Sequence, residues 1–301
     1  MRPVALAFAL AGCMAFAQEK SNGPRFEVAS VRLGGTVDQS VADRMAGKPV
    51  PATGVTFSGR RIDIVGLNVK SQIARAWRIP MQQVVAPDWT MQALVVIHAE
   101  MPEGATREQL PEMLKALLEE RFHLTAHRAT AEQPAYALVR GKGALKLNPP
   151  REMDLSACET WKDDGSLYGA RTCRKVESTG ASRTTLMMYT AGPVGPTRSD
   201  ATFQNNSDGI TRQEYFRATM AGLAERLSLP CGNAGTCPGL PVVDRTGLPG
   251  EYDLVLEGAC SREACDTDAS KLDKIGLRLE RTTASIERLI VDQVDKVPTE
   301  N

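Results

Sequence analysis

The stretch Leu110–Val139, LPEMLKALLEERFHLTAHRATAEQPAYALV, constrains this chain most, because a fainter version of its pattern closes the chain at Leu272–Asp292. Leu110, Met113, Leu114, Leu117 and Leu118 stand at i, i+3, i+4, i+7 and i+8, which lays one apolar stripe along a helix ending near Arg121. Phe122, Leu124 and Ala126 then alternate with His123, Thr125 and His127, the period of a strand with one wet face. Ala131–Pro134 reads as a polar break and Ala135–Val139 as a second strand.

Three segments recur in the same order with their apolar residues in phase. Ser71–Pro80 (SQIARAWRIP) lies over Ala221–Pro230 (AGLAERLSLP), displaced by 150 residues. Phe122–Thr130 lies over Ile275–Thr283 at 153, and Val96 over Leu254 at 158. Self-similarity at a nearly fixed displacement predicts a duplication. The fold class expected is α+β: two related units, each a small sheet with two helices packed on one face, in a βαβ-βαββ-like order. The boundaries read as a signal peptide over 1–17, a first unit over 18–140, a loop-rich insertion or linker over 141–209 and a second unit over 210–301.

Other local signals fill in the units. Phe26–Arg32 is a short strand candidate, and Leu33–Gly54 reads as irregular. Ser58-Gly59 between Val55–Phe57 and Arg60–Val65 marks a hairpin. Asn68 can cap a helix that Pro80 ends, and Thr106 with Gln109 has capping-box spacing ahead of the main helix. Met220, Leu223, Ala224 and Leu227 make another helical stripe, and Leu272 with Ile275 a short one.

The first residues speak to destination. Arg2, the apolar run Val4–Ala11 and the small-residue site Ala15-Phe16-Ala17 before Gln18 read as a secretory signal peptide, giving a periplasmic or secreted protein cleaved after Ala17. Leu10-Ala11-Gly12-Cys13 offers the alternative of a lipid anchor on Cys13. Six cysteines follow the leader: Cys158, Cys173, Cys231, Cys237, Cys260 and Cys265. An even number in an oxidising compartment favours disulfides, and sequence order suggests the local pairs 158–173, 231–237 and 260–265 among fifteen connectivities. With 36 basic against 36 acidic residues the charge gives no case for nucleic acid, and the mature sequence contains no transmembrane segment.

For chemistry the sequence is sparing. His123 and His127 invite a metal, but on a strand four residues span about 13 Å, too far for one ion to reach both. Glu119, Glu120, Asp253 and Glu257 are the carboxylates weighed for acid–base work, against a solvated charge cluster beside Arg121. Trp77, Trp89 and Trp161 serve a core or a loop as well as a ligand. No GxSxG, HExxH, Walker loop or GxGxxG after a strand occurs. No catalytic, cofactor-binding or metal-ligating residue is therefore assigned, and no cofactor is expected.

FEVASV at Phe26–Val31, LLEERFHLTAHRATAEQPAYALV at Leu117–Val139 and DRTGLPGEYDLVLE at Asp244–Glu257 resemble a family of exported proteins of unknown function abundant in soil acidobacteria. The resemblance covers nearly the whole mature chain. It departs at Ala86–Ala99, where Pro-x-Trp lacks the Tyr-Asp-Ile that usually follows it, and in a short last helix. Some relatives carry the domain behind a membrane-embedded metallopeptidase sensor module, which implies sensing or partner binding. It brings no functional residues to carry over. Each half also looks like the short N-terminal domain of secretins and TonB-dependent receptors, a partner-binding module of the periplasm, in layout only. The expected function is a non-catalytic periplasmic binding or interaction module for an envelope protein or a small ligand; the alternative is an exported hydrolase of an envelope or extracellular polymer.

Overall fold

A computed structural model describes residues 23–49, 53–154, 162–163, 171–179, 183–191, 197–204, 208–228, 239–260 and 266–299. The leader with Cys13 and the Ala17 site lies outside them, as do Trp161, Cys158, Cys231, Cys237 and Cys265. Among the cysteines only the Cys173 side chain is described; it is buried and disulfide-bonded.

The chain is mixed α+β, with three sheets and six α-helices among the described residues. The first half runs β1 (Val28–Thr36), α1 (Val37–Met45), β2 (Gly54–Ser58), β3 (Arg61–Asn68), α2 (Val69–Ala76), β4 (Val84–Val85), α3 (Trp89–Gln92), β5 (Ala93–Glu100), α4 (Leu110–Arg121) and β6 (Thr125–Arg140). Next come β7 (Lys162–Asp163), β8 (Arg171–Thr179), β9 (Arg183–Ala191), β10 (Thr197–Gln204) and β11 (Asp208–Ala218). The chain closes with α5 (Met220–Ser228), β12 (Val242–Asp244), β13 (Tyr252–Cys260), α6 (Asp268–Lys274) and β14 (Leu277–Gln293). The sheets order as β1-β5-β3-β2, β13-β11-β10-β9-β8-β7 and β12-β6-β14-β4.

Local chemistry explains the element starts. The Asn68 carboxamide oxygen accepts from the Ser71 amide and caps α2, while Thr106 and Gln109 form the reciprocal box ahead of α4. Ser58 and Arg61 close the β2–β3 hairpin. One helix was not anticipated: α1 stands where irregular chain was expected. It buries no residue, and its apolar positions Val37, Val41 and Met45 form a stripe too thin to read as periodicity.

The anticipated turn at Ala131–Pro134 is also corrected. β6 is one continuous strand of 16 residues, paired antiparallel with the 17-residue β14 along nearly its whole length, from Arg140 opposite Leu277 to Thr125 opposite Gln293. Pro134 fits because its missing N–H faces the edge away from β14. The Tyr136 amide donates to Pro241 O and Leu138 O accepts from Arg245 N on that side, so even-numbered residues of β6 point there.

This ribbon ties the two main cores together. Leu124 at one end and Leu289 of β14 join Ile62, Ile64, Ile73, Ile97, Leu114, Leu118 and Phe122 in the first core. Leu138 and Leu277 at the other end join Tyr215, Leu223, Leu227, Leu254 and Leu272 in the second. The strands that follow α4 and α6 therefore pair with each other. The expectation of two separate small sheets gives way to two sheets flanking a shared third, because β6 and β14 pair with each other.

Candidate functional site

On β5 the residues Val95, Ile97 and Ala99 enter the first core, so Val96, His98 and Glu100 point to the opposite face. Register places Ser30 of β1 beside His98, Asp63 of β3 on the other side, and Thr56 of β2 beyond it. His98 Nδ1 lies 2.5 Å from Asp63 Oδ1, and Arg61 Nε and Nη2 each approach that oxygen at 3.1 Å. Burial raises the Asp63 pKa, but the hydrogen bonds from His98 and Arg61 outweigh it and hold the carboxyl below its ordinary value. The ionised carboxylate accepts, so Nδ1 of His98 donates to it.

Beside this row Arg60 donates to Glu27 at 3.2 Å and to Glu100 at 2.5 Å. Val28, Ser58, Arg60, Arg61, His98, Ala99 and Glu100 line an open cleft of about 400 Å³. A second cleft of about 330 Å³ lies between Arg25–Ala29 and α4, floored by Phe26, Met113, Ala116 and Leu117 and rimmed by Arg25, Glu120 and Arg121.

The carboxylates weighed from sequence are dispersed. Glu119 faces Lys115 one turn away at 3.8 Å, and Glu120 faces Arg25 at 3.4 Å. Asp253 is 3 % exposed and structural in its contacts: it accepts from the Arg151 Nε at 2.7 Å and from the Arg217 amide at 2.9 Å, while its backbone bridges Asn148. Glu257 is exposed, 3.7 Å from Arg212, which also pairs with Glu214. Arg151 covers the Phe216 ring at 4.9 Å.

His123 is not a strand residue. It leaves α4 with φ of +46°, and its Nδ1 sits 2.8 Å from Asp295, whereas His127 on β6 pairs with Asp292 at 2.9 Å. Each imidazole has its own carboxylate, and no group of three or more potential metal ligands occurs among the described residues. Asp295 and Thr299 donate their amides to Phe122 O and Arg121 O, closing the C-terminus of α4. Trp77 packs in the first core with the Lys115 ammonium over its ring, and Trp89 packs against the same core.

Two clusters escaped the sequence reading. The Ser30–His98–Asp63 row was legible in principle, because RIDIV and VVIHA both alternate, but nothing local pairs β3 with β5. The other is buried: Tyr215 is pushed up to about 12 by burial, and Asp268, 3.6 Å from Lys271, is raised by burial against the pull of Lys271 and Arg226.

No helix among the described residues is long and apolar enough to cross a membrane. Neither the curated proteins nor the solved structures contain a match to this chain. A family model described as a protein of unknown function (DUF3738) matches residues 70–294, which takes in His98 and the whole β6–β14 ribbon, and the chain belongs to that family.

Proposed function

We propose an exported binding module of the cell envelope, made of two related units over 18–140 and 210–301 with 141–209 inserted between them. Cleavage after Ala17 frees it into the periplasm or medium, with a lipid anchor on Cys13 the alternative, and the pairs Cys158–Cys173, Cys231–Cys237 and Cys260–Cys265 staple it.

The duplication is supported by features that sequence matching does not use. β4 runs parallel to β14 with Val84 opposite Leu289, and β12 runs parallel to β6 with Val242 opposite Tyr136. Asn68 caps α2 three residues before Ser71, as Thr219 receives the Gly222 amide ahead of α5. β3 and β11 each carry an irregularity just before those caps, at the positive-φ residues Gly66 and Arg217. His123 and Gly276, also at positive φ, follow α4 and α6. These markers align α2 with α5 one residue away from the Pro80–Pro230 match, and put Ile97 rather than Val96 opposite Leu254, both facing a core.

The observation that carries binding is the open cleft at His98. Its charged groups are already neutralised in pairs and face solvent, an arrangement suited to exchanging hydrogen bonds with a polar ligand. A carboxyl pair working as acid and base would instead need two groups driven apart in pKa. The test is retention of the mature protein on immobilised envelope and plant polysaccharides. Arg61→Ala and His98→Ala should each weaken retention about tenfold or more at unchanged Tm. Retention by neither wild type nor variants, with product released from a polymer, would sink the reading.

A hydrolase is favoured by one observation, the Ser30, His98 and Asp63 register across three adjacent strands in the order of a nucleophile, base and orienting acid. A fluorophosphonate that labels wild type and not Ser30→Ala would establish it.

A further inference from the structure

The β6–β14 ribbon has two outer edges, and they are not alike. Gly141 N donates to Gly276 O, so even-numbered residues of β14 face β6, and the amides and carbonyls of Leu279, Arg281, Thr283, Ser285 and Glu287 face away from it. Among the described residues β14 pairs on that side only with β4, at Leu289 and Ile290. The equivalent edge of β6 presents Arg128, Thr130, Glu132 and then Pro134, which has no N–H to offer. From Leu279 to Glu287 the β14 edge contains no proline and no bulge, and Arg281, Thr283, Ser285 and Glu287 are exposed.

Unpaired among the described residues, this edge can take a further strand, and its side chains favour one partner. We propose that the Glu280–Arg288 edge of β14 pairs antiparallel with the same edge of a second copy of this chain, about a two-fold axis through Ala284. With Ala284 opposite its own copy, Thr283 meets Ser285, Arg281 meets Glu287, and Glu280 meets Arg288, each pair occurring twice by symmetry. The residues with outward amides, Arg281, Thr283, Ser285 and Glu287, then fall opposite one another, the condition for closing about eight backbone hydrogen bonds. β4 at Leu289 stops the new ladder where the charge match ends. Shifting the register by two residues, with Thr283 opposite itself, puts Arg281 against Ser285 and Glu280 against Ile286 and loses all four charge pairs. Glu287 already pairs with Arg128 and Glu280 with Arg278, so in the dimer each carboxylate lies between two cations. On the other face Ala284 and Ile286 are buried, and pairing brings Ile286 over Thr282 of the other copy and extends that small core. The surface is distinct from the His98 cleft, so the two readings stand or fall separately.

The experiment is sedimentation velocity on the mature protein, with circular dichroism to verify folding. Wild type should sediment as a dimer. Arg281→Glu sets two like-charge pairs across the axis and should raise the dissociation constant at least about tenfold. Adding Glu287→Arg to it swaps both signs and should restore the dimer. Thr283→Pro removes an outward amide at an exposed edge and should give a folded monomer. A monomeric wild type, or a dimer indifferent to both Arg281→Glu and Thr283→Pro, would overturn the proposal.

Discussion

Gly276 shows how tightly a single position can be specified. It follows α6 with φ of +78°, and a Cβ there would lie 2.5 Å from Ala144 O and 2.9 Å from Ala144 C. Those are backbone atoms, so they cannot swing aside as a side chain would. Gly276→Ala should cost about 2–4 kcal/mol in chemical denaturation, whereas at Gly104, where φ is also positive but nothing stands within 4 Å, only the backbone strain is expected. Tyr215 gives a residue-scale prediction in pH. Its phenol titrates near 12 folded and near 10 unfolded, so between these values the unfolded chain has released a proton the folded one keeps. Stability therefore falls as pH rises from 10 to 12, and Tyr215→Phe should flatten that part of the curve in equilibrium unfolding.

At the scale of elements, what could be read in advance divides by range. The stripes of α2, α4 and α5, the caps at Asn68 and Thr106 and the β2–β3 turn are local patterns, and each is legible in a few residues. The β6–β14 pairing is not, since it joins residues about 150 apart and a period of two is blind to the partner. Pro134 misled because a proline in a polar stretch reads as a turn until the free edge is known. His98 and Asp63 are illegible as a pair for the same reason: they lie 35 residues apart, and only the β3–β5 register brings them together. The helix exit at His123 looked like strand because Phe122 and Leu124 alternate, although both are buried in the first core as the chain turns. Phe122, fully buried where α4 ends, should cost about 3–5 kcal/mol as Phe122→Ala.

For the whole molecule, the shared ribbon makes the cores interdependent. Leu138 lies on β6 yet belongs to the second core, and Leu289 lies on β14 yet belongs to the first. Destabilising one end of the ribbon should loosen both: Leu138→Ala should lower hydrogen-exchange protection in α4 as well as in α5, with one unfolding transition rather than two. The binding surface we propose is the outward face of the first sheet, where Arg61, Asp63 and His98 converge beside an open cleft. The most direct measurement is the NMR spectrum of His98 and the Arg61 guanidinium while a retained polysaccharide fragment is titrated in and its chain length followed. Binding predicts saturable shifts at both side chains with the fragment intact; a fragment that shortens, or shifts confined to other faces of the protein, would contradict it.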